Sequence, residues 1–191
     1  MGGSRPVPTH LTPPRPRSAE SAHDADGPTV IVAVATSANL DAADAAWIDA
    51  QTRAAAGVLG LTGEIGVRVV GDAEMADLHL RYCGVAGTTD VLTFDLIDSA
   101  HAEGMAEGDG RPVEVDIVVC LDEAARQAAA RFLAVRHELL LYVVHGLLHC
   151  LGCDDGDDAA FARMHAREDA LMAALGLPPA FHAAAGEGAR A

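Results

Sequence analysis

The chain reads as one α+β domain, a small mixed sheet of about four strands flanked by helices. Three observations predict this. Short β-branched runs alternate along the chain with Ala-rich runs of helical length. A length of 191 residues suits one domain with tails. The longest apolar stretch, Leu139 to Gly152, carries two histidines four residues apart, a helical spacing on one face.

Each element has its own signal. Val30 to Ala35 is β-branched and predicts a first strand. Asp41 to Ala56 is Ala-rich, with Leu40, Ala43, Trp47 and Ile48 at helical spacing, and Gly57 is its expected stop. Glu64 to Val70 alternates, as a second strand does. Asp72 to Tyr82 predicts a helix with Asp72 as cap and Met75, Leu78 and Tyr82 on one face. Thr89 to Leu96 predicts a third strand, Asp98 to Arg111 a polar loop, and Val113 to Leu121 a fourth strand that turns fully apolar at its end. Asp122 is the expected cap of a helix through Phe132. A second helix follows over Ala134 to Leu151 and a last one over Asp157 to Leu175, closed by Gly176 and Pro178. The expected domain covers residues 29–178. Residues 1–28, rich in Pro, and residues 179–191 are expected to be disordered tails.

Composition excludes several classes. Thirteen basic residues, all Arg, stand against 28 acidic ones, a formal net charge of −15. A protein that coats nucleic acid through a cationic excess is excluded. A membrane span is not expected, because the longest unbroken apolar run within Leu139 to Gly152, Leu139 to Val144, is far below the roughly 20 residues required. Cys83, Cys120, Cys150 and Cys153 are too few and too scattered for a disulfide scaffold. No positively charged and then apolar leader pattern opens the chain, so a cytoplasmic protein is expected.

The chemistry concentrates in the segment from His145 to Asp155. Four helical residues turn through about 400°, so His145 and His149 lie one above the other. Zincin-like metal-binding helices present two nitrogens to one ion in this way. Gly152 lets the chain leave the helix in a left-handed conformation and double back, bringing Asp154 or Asp155 against the pair. The glutamate that follows the first histidine in zincin proteases is Gly146 here, so a protease reading lacks its general base.

These motifs resemble the YbeY family of bacterial rRNA maturation factors. The family pattern H-G-x-L-H-L-x-G-x-D-H is matched at His145, Gly146, Leu148, His149, Gly152 and Asp154. Met164 and Glu168 stand where the family has M-x-x-x-E. Thr89 to Phe94 is similar to its T-D-V-L-S-F strand, Val115 to Cys120 is similar to its G-D-I-V-I strand, and Glu138 lies where an E-x-x-x-L-x-x-H-G run is usual. The resemblance spans roughly Val30 to Leu177. It implies one zinc ion and a metal-dependent endoribonuclease specific for single strands. It further implies work on small-subunit (16S) rRNA 3′-end maturation and ribosome quality control, with RNA and the small ribosomal subunit or its proteins as partners.

Two positions depart from the family. Asp155 replaces the third ligand, a histidine, and a carboxylate completes an accepted zinc set. The expected ligands are therefore His145, His149 and Asp155, with Asp154 behind them orienting a ligand. Cys83 replaces an arginine that would hold a phosphate, and Arg81 is the expected substitute, although its direction on a helix argues against it. Cys150, about 100° round the helix from His149, is expected in the core. Glu138 is about 10 Å from His145 along the axis, too far to bind the same ion. Met164 and Glu168 are expected as packing or solvated residues, and His79, His101, His137, His165 and His182 as exposed ones. No general base is assigned. Two alternatives to the nuclease stand: a ribosome-assembly factor with structural zinc, favoured by the missing arginine, and a metalloprotease, disfavoured by Gly146.

Overall fold

β-Branched alternation builds the sheet, and register sets which residues face which side. The computed structural model describes residues 29–97 and 110–181. The elements run β1 (Val30–Thr36), α1 (Ala42–Val58), β2 (Leu61–Val70), α2 (Asp72–Cys83), β3 (Val91–Asp95), β4 (Arg111–Cys120), α3 (Leu121–Arg131), α4 (Val135–Cys150) and α5 (Asp158–Ala174). The strands form one mixed sheet in the order β1-β2-β4-β3. β1 is parallel to β2 and β2 to β4, whereas β3 is antiparallel to β4. The expected tails, the loop from Asp98 and the histidines 101 and 182 fall wholly or largely outside the described residues.

The two faces of the sheet are covered differently. Val113, Val115, Ile117 and Val119 of β4 join Ile65, Val67 and Val69 of β2 beneath Leu139, Val143 and Leu147 of α4. On the reverse face Val70, Leu92, Val118 and Cys120 meet Met75 of α2. The end of β4 is thus buried on both faces, which is why its pattern stops alternating. α4 is central. Its far side carries Leu140, Val144 and Leu148, packed on Met164, Leu171 and Met172 of α5. A helix packed on two sides keeps only a narrow polar stripe, so its sequence reads as almost continuously apolar.

Several boundaries differ from the expected ones, each for a local reason. Gly57 lies inside α1, and the left-handed turn falls at Gly60, where φ is 65°. β2 begins at Leu61 rather than Glu64, because parallel pairing with β4 runs from Leu61 opposite Arg111 to Val70 opposite Cys120. Asp72 and Asp122 are not caps: Gly71 and Cys120 hold those positions without a side-chain bond. Instead Asp122 accepts the Asp72 amide at 2.7 Å, capping α2 from another helix. Asp41 and Asp157 do cap α1 and α5, accepting the amides of Asp44 and Ala160 at 2.8 Å each.

Gly146 sets the seating of α4. A methyl group there would stand 2.6 Å from Thr93 Oγ1 and 3.2 Å from Ile117 Cδ1. The residue after the first histidine faces the sheet, so a glutamate at that position would be driven into the core. Among the described residues, no helix is long and apolar enough to cross a membrane.

Candidate metal centre

One face of α4 carries Glu138, Tyr142, His145 and His149, spaced by four, three and four residues. The last two bring their Nε2 atoms to 2.9 Å from each other. Beyond them Gly152 takes φ 83°, and the Cys153 amide returns to the Leu148 carbonyl at 3.0 Å. This is the left-handed helix end that lets the chain fold back. Asp154 Oδ1 then accepts the amides of Asp155 and Gly156 at 2.9 and 3.1 Å. That turn delivers Asp155 Oδ2 to 3.8 Å from His145 Nε2 and 3.7 Å from His149 Nε2. One ligand atom from each of His145, His149 and Asp155 lies within 4.8 Å of the others, so the three could hold a metal ion.

The outer nitrogens of both rings are occupied. His145 Nδ1 donates to Glu168 Oε1 at 2.6 Å, and His149 Nδ1 donates to the Cys153 carbonyl at 2.9 Å. Both acceptors assign the proton to Nδ1, which leaves a lone pair on each Nε2. In the neutral rings two lone pairs and a carboxylate therefore converge on one point, an arrangement that a cation stabilises, either a metal ion or a proton shared between the Nε2 atoms. Metal-bound histidines are held by such outer partners.

Glu168 is 1% exposed and also accepts His165 Nδ1 at 2.5 Å. Burial pushes its carboxyl up, but the hydrogen bonds from His145 and His165 prevail and hold it below the usual value. For His145, burial works against the imidazolium, yet the Glu168 hydrogen bond and the charges of Glu168, Asp155 and Asp90 raise it overall.

A cleft of about 550 Å³ opens beside this group. His145, Asp155 and Glu168 line it together with Glu138, Tyr142 and Arg131. Glu138 is fully buried and accepts Arg131 Nη1 at 2.9 Å. Arg81 does not line the cleft. Its guanidinium lies over the Tyr82 ring, 5.6 Å from the centroid. Asp154 holds the turn through backbone amides and does not join the ligand group. Cys150 packs on the core, and burial pushes its thiol up to about 12. Cys153 Sγ accepts Arg167 Nη1 at 3.1 Å.

Other placements differ from the sequence reading. Glu168 and His165 are not solvated residues but part of the site. Their signal was available in the helical face shared by Met164, Glu168, Leu171 and Met172. His137 is partly buried, 5.3 Å from the Trp47 ring, and burial, with the Arg136 charge, lowers its pKa. Arg131 carried no sequence signal, because its place in the cleft depends on the left-handed turn at Phe132, φ 58°.

A mixed sheet beneath a helix with two converging histidines, and a carboxylate returned by the following turn, is the layout of a metallohydrolase. The family model for Endoribonuclease YbeY matches residues 34–176. The chain belongs to the YbeY family. The Endoribonuclease YbeY of Moorella thermoacetica is 37% identical over 128 residues, which cover 65% of this chain and 82% of that one. That of Mycobacterium ulcerans is 38% identical over 111 residues, covering 57% and 62%. A solution structure of TM1509 from Thermotoga maritima covers 83% of this chain and 100% of that one, at 18% identity and a TM-score of 0.48.

Proposed function

We propose that the protein is a zinc-dependent endoribonuclease that cuts single-stranded RNA, with His145, His149 and Asp155 as ligands of one ion. The observation that carries this is the convergence of two Nε2 lone pairs, 2.9 Å apart, with the Asp155 carboxylate. Two imidazoles and one carboxylate suit zinc and leave a coordination position open for catalysis. A bound zinc ion supplies Lewis-acid chemistry, acidifying water and drawing charge from a phosphoryl oxygen. The chain's own residues prepare for it. Glu168 and the Cys153 carbonyl hold a proton on each Nδ1, so in the neutral rings both Nε2 atoms point their lone pairs at the site. Asp155 adds a negative charge that a third histidine would not.

Membership of the YbeY family supports RNA as the substrate and, beyond it, small-subunit rRNA 3′-end maturation and ribosome quality control in the cytoplasm. A net charge of −15 opposes encounter with free RNA, which favours delivery by docking on the small ribosomal subunit or its proteins. The exposed Cys83, in the place of the family arginine, favours a second reading, an assembly factor with structural zinc. The engagement of Cys153 Sγ by Arg167 argues against it, since a closed site needs a fourth protein ligand.

The experiment is cleavage of labelled single-stranded and duplex RNA by zinc-loaded protein. The expected result is cleavage of the single strand alone and its loss in His149→Ala. Zinc bound without cleavage would select the assembly-factor reading. Cleavage undiminished in His149→Ala would overturn the ligand assignment.

A further inference from the structure

The cleft contains more than a metal site requires. A ladder of contacts leads away from His145. Glu168 joins His145 to His165. The His165 ring stacks on Phe181 with centroids 3.7 Å apart and planes 22° apart, and meets Phe161 edge-on at 4.0 Å. Arg131 lies over the Phe181 ring, 5.1 Å from its centroid. Phe181 is fixed by its own backbone: Asp169 Oδ1 accepts the amides of Ala180 and Phe181 at 2.7 and 3.1 Å. Phe161 is 51% exposed, a large ring left open at the mouth of the cleft.

Glu138 and Tyr142 both line this cleft, and among the described residues Glu138 Oε2 and the Tyr142 hydroxyl make no well-aligned hydrogen bond, although the hydroxyl lies near enough to the carboxyl to act on it. Their residues are 0% and 5% exposed. Buried polar groups are normally satisfied, and each that is not asks for a ligand or a water. A carboxylate oxygen needs an N–H or O–H donor, and the phosphodiester backbone of a strand offers none. Asp90, Glu123, Asp155 and Glu168 also line the cleft and repel phosphate. The Watson–Crick edge of an unpaired base does offer N–H donors, and its faces stack on aromatic and guanidinium planes.

We propose that this cleft is a subsite for one unpaired nucleobase of the strand being cut, stacked on the wall of Phe161, His165 and Phe181 and contacted at its edge by Glu138 and Tyr142. The inference rests on the endoribonuclease reading for the strand that passes the metal centre. It supplies a physical basis for single-strand specificity: a base in a duplex has its edge paired and its faces covered. Arg131 has a positioning role. It holds Glu138 through Oε1 while Oε2 remains for the base.

The test uses zinc-loaded full-length protein and a short phosphorothioate-linked single-stranded RNA carrying one 2-aminopurine, whose fluorescence falls on stacking. Anisotropy gives Kd, and quenching reports the stack. Phe161→Leu and Phe181→Leu keep apolar bulk and remove a ring. Each is expected to weaken binding at least about fivefold, the low end of one base–aromatic stack, to reduce quenching and to leave zinc content unchanged. Should Phe181→Leu fail to fold, the exposed Phe161 carries the test. Tyr142→Phe is expected to weaken binding while the ligand-free melting temperature holds or rises, an outcome that a purely structural hydroxyl does not produce. Leucine variants that bind and quench as the wild type does would overturn the proposal. So would binding by the wild type without quenching, even if the RNA is cleaved. Quenching with no cleavage of the unmodified strand of the same sequence keeps the subsite and removes the nuclease, and absence of binding removes the subsite.

Discussion

Glu168 holds two histidines at once, with Oε1 on His145 at 2.6 Å and Oε2 on His165 at 2.5 Å. A single buried carboxylate thus sets the tautomer of a candidate metal-ligand ring and anchors the aromatic wall. Glu168→Gln keeps the shape but loses the charge, and its amide group can offer N–H where His145 also offers one. Zinc affinity is expected to fall about 10- to 100-fold, the usual cost of losing such an outer partner. Competition with a chromophoric chelator measures it, and an unchanged affinity would remove Glu168 from the site.

The carboxylates after Gly152 separate by role. Asp155→Ala is expected to cost zinc affinity at least about tenfold. Asp155→His is expected to retain the ion and to move the pH–rate profile to lower pH, since imidazole donates less charge to the metal. Asp154→Ala is expected to cost less, because Asp154 acts through the amides of Asp155 and Gly156. Zinc content by atomic emission decides. Loss in Asp154→Ala but not in Asp155→Ala would reverse the assignment.

Gly146→Ala tests the seating of α4. Alanine favours a helix by about 1 kcal/mol over glycine, but its methyl group would stand 2.6 Å from Thr93 Oγ1, on a β-branched side chain with little freedom. Overpacking of this kind costs about 1–3 kcal/mol, so the net expectation is a lower melting temperature. Adding Thr93→Ala should restore part of it. A stabilised Gly146→Ala would show that the helix has room to lift.

Arg126 binds both oxygens of Asp72, at 2.7 and 2.8 Å. This hydrogen bonding holds the Asp72 carboxyl at about 2, below its usual value near 3.8. The sign follows from linkage: a depressed carboxylate contributes stability that is complete above the unfolded value and fades as pH falls towards the folded one. Asp72→Asn should therefore lose stability at neutral pH and show a flatter decline between about pH 4 and about pH 2. The pair is half exposed, so salt should weaken the effect. Urea denaturation at several pH values measures it, and parallel pH curves for the two proteins would show that Asp72 is not the titrating group.

The sheet and the helix that carries both histidines were legible because their signals are local. Alternation gave β2 and β4, and spacing gave His145 and His149 on one face. Gly152 announced the turn that returns Asp155. What the sequence hid was set by tertiary contact. Asp72 looks like a cap, yet the cap comes from Asp122 across helices. Glu168 reads as one acid among many on α5 until the packing of that helix on α4 points it at His145. Arg81 seemed placed for a substrate, while Arg131, beyond any motif, occupies the cleft.

The two candidate ligand histidines grow from a helix enclosed by sheet on one side and α5 on the other. The core therefore sets the axis and rotation of that helix, and an ion arriving at the site has little left to organise. Loading and unloading should leave the backbone in place, with a heat-capacity change near zero, unlike zinc fingers that fold around their metal. An ion bound there could then leave and return without passage through an unfolded state, and the persistence of the fold would not depend on the supply of metal.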